Sequence, residues 1–308
     1  MYTLNEYSLT PTKSERTEYE LVGVSQALSL SKAWKLQTSV SSFTDVLGLR
    51  LIPNHTDTTD AVALQLANPI HDVIREAIPL LCSKLSLDLA LLKQDRPQLN
   101  QPGLLVLDMD STLIQMECID ELANLAGVGE KVSLVTKEAM QGKLDFAQSL
   151  YARVGCLANA DQNIMLQVRD AMPLMPGTQL LINKLQQHGW KIAIASGGFS
   201  FFADYLKQRL GLDHAKANHL ELNQGRLTGK VTGQVVDAKC KADYLLQWAT
   251  QDHISPQQTV AMGDGANDLL MMECAAMGIA HHAKPIVAAK ADGGIRLGGL
   301  DTLLYYLN

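Results

Sequence analysis

No apolar stretch in these 308 residues approaches the ~18 that a membrane-spanning helix needs. The N-terminus, Met1-Tyr2-Thr3-Leu4-Asn5-Glu6, lacks the basic region followed by an apolar one that marks a secretory leader, so a cytoplasmic protein is expected. The five cysteines, Cys82, Cys118, Cys156, Cys240 and Cys274, are odd in number and scattered, with no C-x-x-C pair and no histidine at zinc spacing. That pattern excludes a disulfide framework and predicts reduced thiols in cores and helices. There is no run of Lys and Arg, and the formal charge is −6, which argues against nucleic acid as the partner. The G-x-S-x-G elbow, the P-loop lysine motif and the G-x-G-x-x-G fingerprint are all missing, so serine hydrolases, nucleoside triphosphatases and dehydrogenases drop out. Neither an internal repeat nor a low-complexity tract occurs.

What is present starts at Leu104-Leu105-Val106-Leu107-Asp108-Met109-Asp110-Ser111-Thr112, a short apolar run that delivers two aspartates and a threonine at its end. Such a run reads as a buried parallel strand, and open α/β sheets bind ligands beyond the carboxyl ends of their strands. A second acidic loop, Gly263-Asp264-Gly265-Ala266-Asn267-Asp268, follows the apolar Thr259-Val260-Ala261-Met262 and precedes a helix-like stretch from Leu269 to Met277. Two carboxylate loops at strand ends can converge on one hard cation, because Mg²⁺ prefers oxygen ligands. Between them, Ile192-Ala193-Ile194-Ala195-Ser196-Gly197-Gly198 ends a third strand in a hydroxyl and two glycines before a helix, a place where backbone N–H groups meet an anion.

The length suggests about two domains, and 47% hydrophobic residues suffices for sizeable cores. The polar, proline-containing segment 94–103 predicts a linker between an N-terminal unit, 1–93, and a catalytic one, 104–308. The N-terminal unit reads as small α+β, with helix-like runs at Asp57 to Ala67 and Ile70 to Ile78, the second interrupted by Pro79, and strands at Leu47 to Ile52 and Leu87 to Leu92. Within the catalytic unit, about 119–171 reads as several amphipathic helices broken at Gly127-Val128-Gly129, Gly142 and Gly155, a helical cap inserted over the site. A helix from Pro176 to His188, one from Phe199 to Leu210 and a hairpin through Asn223-Gln224-Gly225 then lead into alternating strands and helices, as a doubly wound α/β sheet requires. His281-His282 read as ordinary loop histidines.

The ordered set Asp108-Met109-Asp110-Ser111-Thr112, Ser196-Gly197-Gly198, Lys241 and Gly263-Asp264-Gly265-Ala266-Asn267-Asp268 resembles the haloacid dehalogenase-like superfamily of phosphotransferases over about Pro102 to Asn308. Glu117, Arg153 and the wording of the glycine-rich loops make it similar, within that superfamily, to the phosphoserine phosphatases. The resemblance implies a Rossmann-like core under a helical cap, an N-terminal unit of ACT-like type, Mg²⁺ as cofactor and a small phosphomonoester, O-phosphoserine, as substrate. It implies that Asp108 is the nucleophile, that Asp108, the carbonyl of Asp110 and Asp264 hold the metal, and that Asp268 lies nearer to an orienting role. Asp110, two residues after the nucleophile, can protonate the leaving oxygen and later activate water. Dehalogenases and P-type ATPases lack an aspartate there, which points to phosphoester hydrolysis or transfer. Ser196 can hydrogen-bond a phosphoryl oxygen, Asn267 would contact the phosphate or the lysine, Gly197 would supply a backbone contact, Lys241 would balance charge while Lys239 faces solvent, and Thr112 would steady the first loop. Glu117 suits a substrate ammonium and Arg153 its carboxylate. Met140 and Phe146 match apolar cap positions. Phosphatase or phosphotransferase action on another phosphomonoester, and an amino-acid sensor with a vestigial catalytic unit, stay open as alternatives. So does the oligomeric state, a homodimer included.

Overall fold

In the N-terminal part, Val22, Val24, Ala61, Ala63, Ala90 and Leu92 alternate with Leu21, Val62, Leu64, Leu89 and Leu91, and all are buried. Strands apolar on both faces need cover on both sides. The computed structural model, which describes residues 2–4, 9–11, 17–56, 59–67 and 71–308, supplies it. Strands β1 (Tyr2–Leu4), β2 (Leu9–Pro11), β3 (Tyr19–Ser25), β4 (Asp45–Thr56), β5 (Thr59–Ala67) and β6 (Asp88–Lys93) form an antiparallel sheet in the order β2-β1-β4-β5-β3-β6. Helices α1 (Leu30–Val40) and α2 (His71–Leu85) bring Leu36, Ile74 and Ile78 to one face. The other face joins a core that contains Ile295, Tyr305 and Tyr306 from the far end of the chain. From β3 to β6 the order is β-α-β-β-α-β, the split βαβ arrangement.

Two expectations fail in this region. Residues 59–67, read as helix, form β5, because pairing with β3 and β4 along its length outweighs the helix propensity of Ala and Leu. Asp57 and Thr58 lie outside the described residues, as does Ile70. Pro79 does not interrupt α2, which runs on to Leu85 with the proline on its exposed side. The segment 94–103 is anchored at both sides: Arg96 is 4% exposed, its Nε donates to Tyr306 O at 2.7 Å and its Nη2 to Glu20 at 3.2 Å. Gln258 accepts from Gln98 N at 2.7 Å and donates back to Gln98 O at 3.1 Å.

The second sheet starts with β7 (Leu104–Leu107), whose four residues are fully buried. Four helices follow, α3 (Cys118–Leu125), α4 (Gly129–Met140), α5 (Phe146–Cys156) and α6 (Asn163–Ala171), and they form the cap. Gly155 lies inside α5 and does not break it, because the chain turns only after Leu157. Then come α7 (Thr178–Gln187), β8 (Lys191–Phe199), α8 (Ser200–Leu210), β9 (His214–Asn223), β10 (Arg226–Thr232), α9 (Ala238–Gln251), β11 (Thr259–Gly263), α10 (Leu269–Cys274), β12 (Met277–His281), α11 (Pro285–Lys290), β13 (Gly293–Ile295) and α12 (Leu303–Tyr306). The order is β10-β9-β8-β7-β11-β12-β13, parallel except for β10, which closes the expected hairpin with β9. Met277, expected at a helix end, opens β12 instead. No helix among the described residues is long and apolar enough to cross a membrane.

His281, expected in a loop, ends β12 and is fully buried, with neither ring nitrogen partnered. Burial, helped by the neighbouring His282, drives its pKa down to about 3. In the unfolded chain the ring titrates near its ordinary value of about 6.5. Between these values the unfolded chain therefore binds a proton that the folded chain refuses. The stability tied to the neutral ring is complete above about 6.5 and is lost as pH falls toward 3. His281→Met, which cannot titrate, should lose less melting temperature than the parent between pH 7 and pH 5, and equal losses would count against this account.

Candidate active site

The sheet reverses direction of growth at β7, which has β8 on one side and β11 on the other, and crevices form at such switch points beyond the carboxyl ends of strands. Asp108 and Asp264 directly follow β7 and β11 there, and Ser196 lies in the C-terminal half of β8. Asp108 N donates to Met262 O at 2.9 Å, which ties the first acidic loop to β11. The chain then curls at once: Leu113 N and Ile114 N both donate to Met109 O, at 2.8 and 3.0 Å. Ser111 takes φ +56°, in the left-handed region, to make the bend. The curl sets Asp110 over the start of α3, where Cys118 N donates to its Oδ1 at 3.1 Å.

Behind this loop, α9 delivers Lys241 into a fully buried position. Its Nζ lies 2.8 Å from Asp108 Oδ1 and 2.7 Å from Asp268 Oδ1. Burial works against the ammonium, but the two carboxylates more than offset it and hold the lysine pKa above its ordinary value. Asp268 spends its other oxygen on Gly265 N, at 3.0 Å, and so fixes the second acidic loop. A side chain at Gly263 would collide with the Asp268 carboxylate, which explains a glycine at the strand end. Lys239, by contrast, pairs with Asp243 at 3.1 Å on the exposed side of α9, as expected.

Asp108, Asp264 and Asp268 bring ligand oxygens within 4.8 Å of one another. Their charge exceeds what Lys241 can balance, and crowding adds to burial in raising the carboxyls. Burial and Asp268 push Asp108 well up, although Lys241 draws it down. Burial, Asp268 and Glu117 raise Asp264 to about 6 against the pull of Lys284 and Lys241. Burial and Glu117 raise Asp110 to about 7. An all-oxygen, charge-rich cluster fits a hard divalent cation. Thr112 Oγ1 reaches Asp264 Oδ1 at 3.4 Å, so it braces the second acidic loop as well as its own.

A cavity of about 330 Å³ opens over these groups. Asp108, Asp110, Ser196, Gly197, Asp264 and Asn267 line it from the core, and Glu117, Phe146 and Arg153 from the cap. Phe146 packs so closely on Gly197 that a Cβ there would come within 2.7 Å of its ring. The cap therefore touches the phosphate-type loop directly. Glu117 accepts from Ser111 Oγ at 2.7 Å. Arg153 is anchored through Nε to Ser149 O at 3.3 Å, which leaves its terminal amino groups for the cavity. Met140 ends α4, and its side chain lies outside the described residues. Lys241, Asp268 and Thr112 stand behind the lining.

Sequence reasoning missed several groups. Asp120, Thr136 and Lys284 line the cavity too. The buried Asn218 donates to Gly197 O at 2.9 Å while accepting from Val236 N at 2.9 Å, and so sets the Gly197 peptide. Asp120 could have been found by its i,i+3 spacing from Glu117 at the start of α3. Asn218 and Lys284 follow no motif; only the folded chain brings them in.

A carboxylate cluster with a buried lysine lies under a helical cap at the switch point of a doubly wound sheet, where such sheets bind ligands. A family profile described as haloacid dehalogenase-like hydrolase matches residues 103–276, and the chain belongs to that family. A curated relative from Vibrio cholerae, phosphoserine phosphatase, is 56% identical over 215 residues, 70% of this chain and 66% of the relative. The matched stretch thus spans just under two thirds of that relative. The unliganded crystal structure of the probable phosphoserine phosphatase from Vibrio cholerae superposes with a TM-score of 0.78 at 44% identity, covering 94% of this chain and 86% of that one. A phospho-aspartyl intermediate analogue of phosphoserine phosphatase matches along 100% of its length and 68% of this chain, with a TM-score of 0.64 at 40% identity.

Proposed function

We propose that the chain hydrolyses O-phosphoserine to serine and phosphate through an aspartyl-phosphate on Asp108. One observation carries this reading: one cavity is lined by Asp108, backed by the buried ammonium of Lys241, together with Glu117 and Arg153, whose guanidinium forms no ion pair among the described residues. Phosphoserine carries the complementary groups, an anionic phosphate at one end and an ammonium and a carboxylate at the other. The activity for which the relatives are named supports the same substrate, and the intermediate analogue supports the covalent route.

Lys241 and Met109 N both engage Asp108 Oδ1, which leaves Oδ2 as the attacking oxygen. Its bond to phosphorus forms as the ester P–O bond breaks, and Asp110 gives its proton to the departing serine oxygen. A pKa near 7 suits a group that must donate and then accept at neutral pH. Water then attacks phosphorus, Asp110 takes its proton back, and the Asp108 acyl-phosphate bond breaks to release phosphate. Ser196 and Asn267 bind phosphoryl oxygens, and Gly197 supplies backbone contact. Asp108, the Asp110 carbonyl and Asp264 would hold Mg²⁺, with Asp268 orienting them. The ion would neutralise the phosphoryl oxygens that otherwise repel an anionic nucleophile. Glu117 takes the substrate ammonium, Arg153 its carboxylate, and Phe146 with Met140 closes the cap over them. The reading places the enzyme in the cytoplasm.

Asp108→Asn should lose nearly all turnover at unchanged melting temperature, within a few degrees; near-normal kcat, with deamidation excluded by mass spectrometry, would overturn the covalent route. Arg153→Ala should lower kcat/KM for phosphoserine by on the order of 2–5 kcal/mol, the range for breaking a desolvated charged pair. Phosphoethanolamine, which has no carboxylate, should be a poor substrate for the parent and lose little more in the variant. Equal losses on both compounds would remove Arg153 from substrate selection and favour another phosphomonoester.

We also propose that residues 1–93 are an ACT-like unit, that 94–103 connect it, and that 104–308 carry the whole catalytic apparatus. The relative matched end to end by 68% of this chain supports this. A fragment starting at Gln101 uncovers Ile295, Tyr305 and Tyr306, so it should melt at least ~10 °C lower yet keep kcat within about threefold per folded molecule. A folded, monodisperse, inactive fragment would mean that the N-terminal unit completes the site.

A further inference from the structure

Two charged residues of the cavity lining, Asp120 and Lys284, have no part in the reaction described above. Five of the lining residues are acidic and two are basic, Arg153 from the cap and Lys284 from the core. Arg153 lies among carboxylates: burial lowers its pKa, and Asp120, Glu117 and Asp110 act against that fall. Lys284 lines the same cavity. It immediately precedes α11, its backbone N–H donates to Asp264 O at 3.3 Å, and its side chain is exposed and forms no ion pair among the described residues. Its charge is nonetheless felt by Asp264, whose carboxyl it pulls down against burial. An approaching phosphomonoester dianion meets repulsion from most of this lining. Lys241 cannot help at that stage, because it is buried and bound to two carboxylates.

We propose that Lys284 is a phosphate-binding residue of the rim, which draws the phosphate end of the substrate to the core side of the cavity and retains the phosphate product there. This rests on the phosphatase reading but not on the choice of serine as leaving group. With Lys284 marking the core side and Arg153 the cap side, a ligand with an anionic group at each end is oriented before the cap closes. The handle on phosphate serves every phosphomonoester, and the handle on carboxylate serves only amino-acid esters. Because the ammonium is exposed, its pull is screened by salt, unlike that of buried Lys241.

The test compares the parent, Lys284→Gln and Lys284→Arg, each with Mg²⁺, on p-nitrophenyl phosphate and on phosphoserine. Lys284→Gln should raise KM for both substrates about five- to tenfold with kcat within about twofold, the scale of one partly screened charge contact. The inhibition constant of inorganic phosphate should rise by the same factor while that of serine stays put. The fall of kcat/KM with added salt should be shallower in Lys284→Gln, and Lys284→Arg should restore parent behaviour. Calorimetric titration of inorganic phosphate gives the same comparison without turnover. If KM, phosphate affinity and salt slope are all unchanged in Lys284→Gln, or if serine inhibition moves in place of phosphate inhibition, the proposal is wrong while the phosphatase reading stands. A fall in kcat at constant KM also overturns it, since Lys284 would then act on the chemistry through Asp264. A parent that cleaves no phosphomonoester brings down the phosphatase reading and the proposal together.

Discussion

A fully buried ammonium held between two carboxylates is the constraint around which the catalytic half is arranged. Removing Lys241, Asp108 and Asp268 from water costs several kcal/mol per ion, and the contacts at 2.8 and 2.7 Å return that only in good geometry. Good geometry here means agreement among three distant pieces of chain. Asp108 must leave β7, Asp268 must turn back from β11 far enough to accept Gly265 N, and α9 must present its fourth residue inward between them. Apolar residues of similar size would fill the same space with less strain on the fold. The charged trio is therefore explained by what it does to Asp108: one oxygen is pinned and the other is left to react.

The rest of the site follows from that anchoring. With Asp108 fixed, the curl through Ser111 places Asp110 beside it, and a glycine at 198 is required because a Cβ there would come within 2.5 Å of Asp110 Oδ2. The Gly197 peptide is set by buried Asn218 and pressed by Phe146, so the cap and the strand β8 share one contact point. Raised carboxyls at Asp110 and Asp264 have one origin, which is low-dielectric crowding of like charge. That crowding fits the acid–base role proposed for Asp110 and favours a bound cation.

Much of this was legible in the sequence because it is local. Apolar runs that end in Asp108, Ser196 and Asp264 identify buried parallel strands and their ligand-bearing ends without knowledge of any partner. The acidic loops, Lys241, Glu117, Arg153 and Phe146 all fall at one site. Lost were the features decided by tertiary pairing. The stretch 59–67 reads as helix from its Ala and Leu content, and only β3 and β4 alongside make it a strand. The anchors of segment 94–103 went unread because they are remote in sequence: Arg96 bonds to Glu20 and Tyr306, and Gln98 to Gln258. Lys284 and Asn218 have no spacing relation to the motifs that they serve.

The N-terminal sheet touches the catalytic half at its far edge, away from the cavity. Asp88, which is buried, accepts from Arg296 N, Leu297 N and Gly298 N at 2.6, 3.0 and 2.7 Å, so its carboxylate organises the loop after β13. Gly293 lets β13 approach β6 closely, since a Cβ there would lie 3.0 Å from that of Ala90. An edge strand left open is a template for aggregation, and cover by another element is a common remedy. Here the cover is a whole sheet whose inner face shares a core with Tyr305 and Tyr306. Hydrogen bonds from Tyr305 to Thr59 O and from His55 N to Tyr305, at 2.9 and 3.1 Å, fix its orientation. The two halves are thus coupled through stability at one end of the sheet, while the residues that line the cavity all come from the other half.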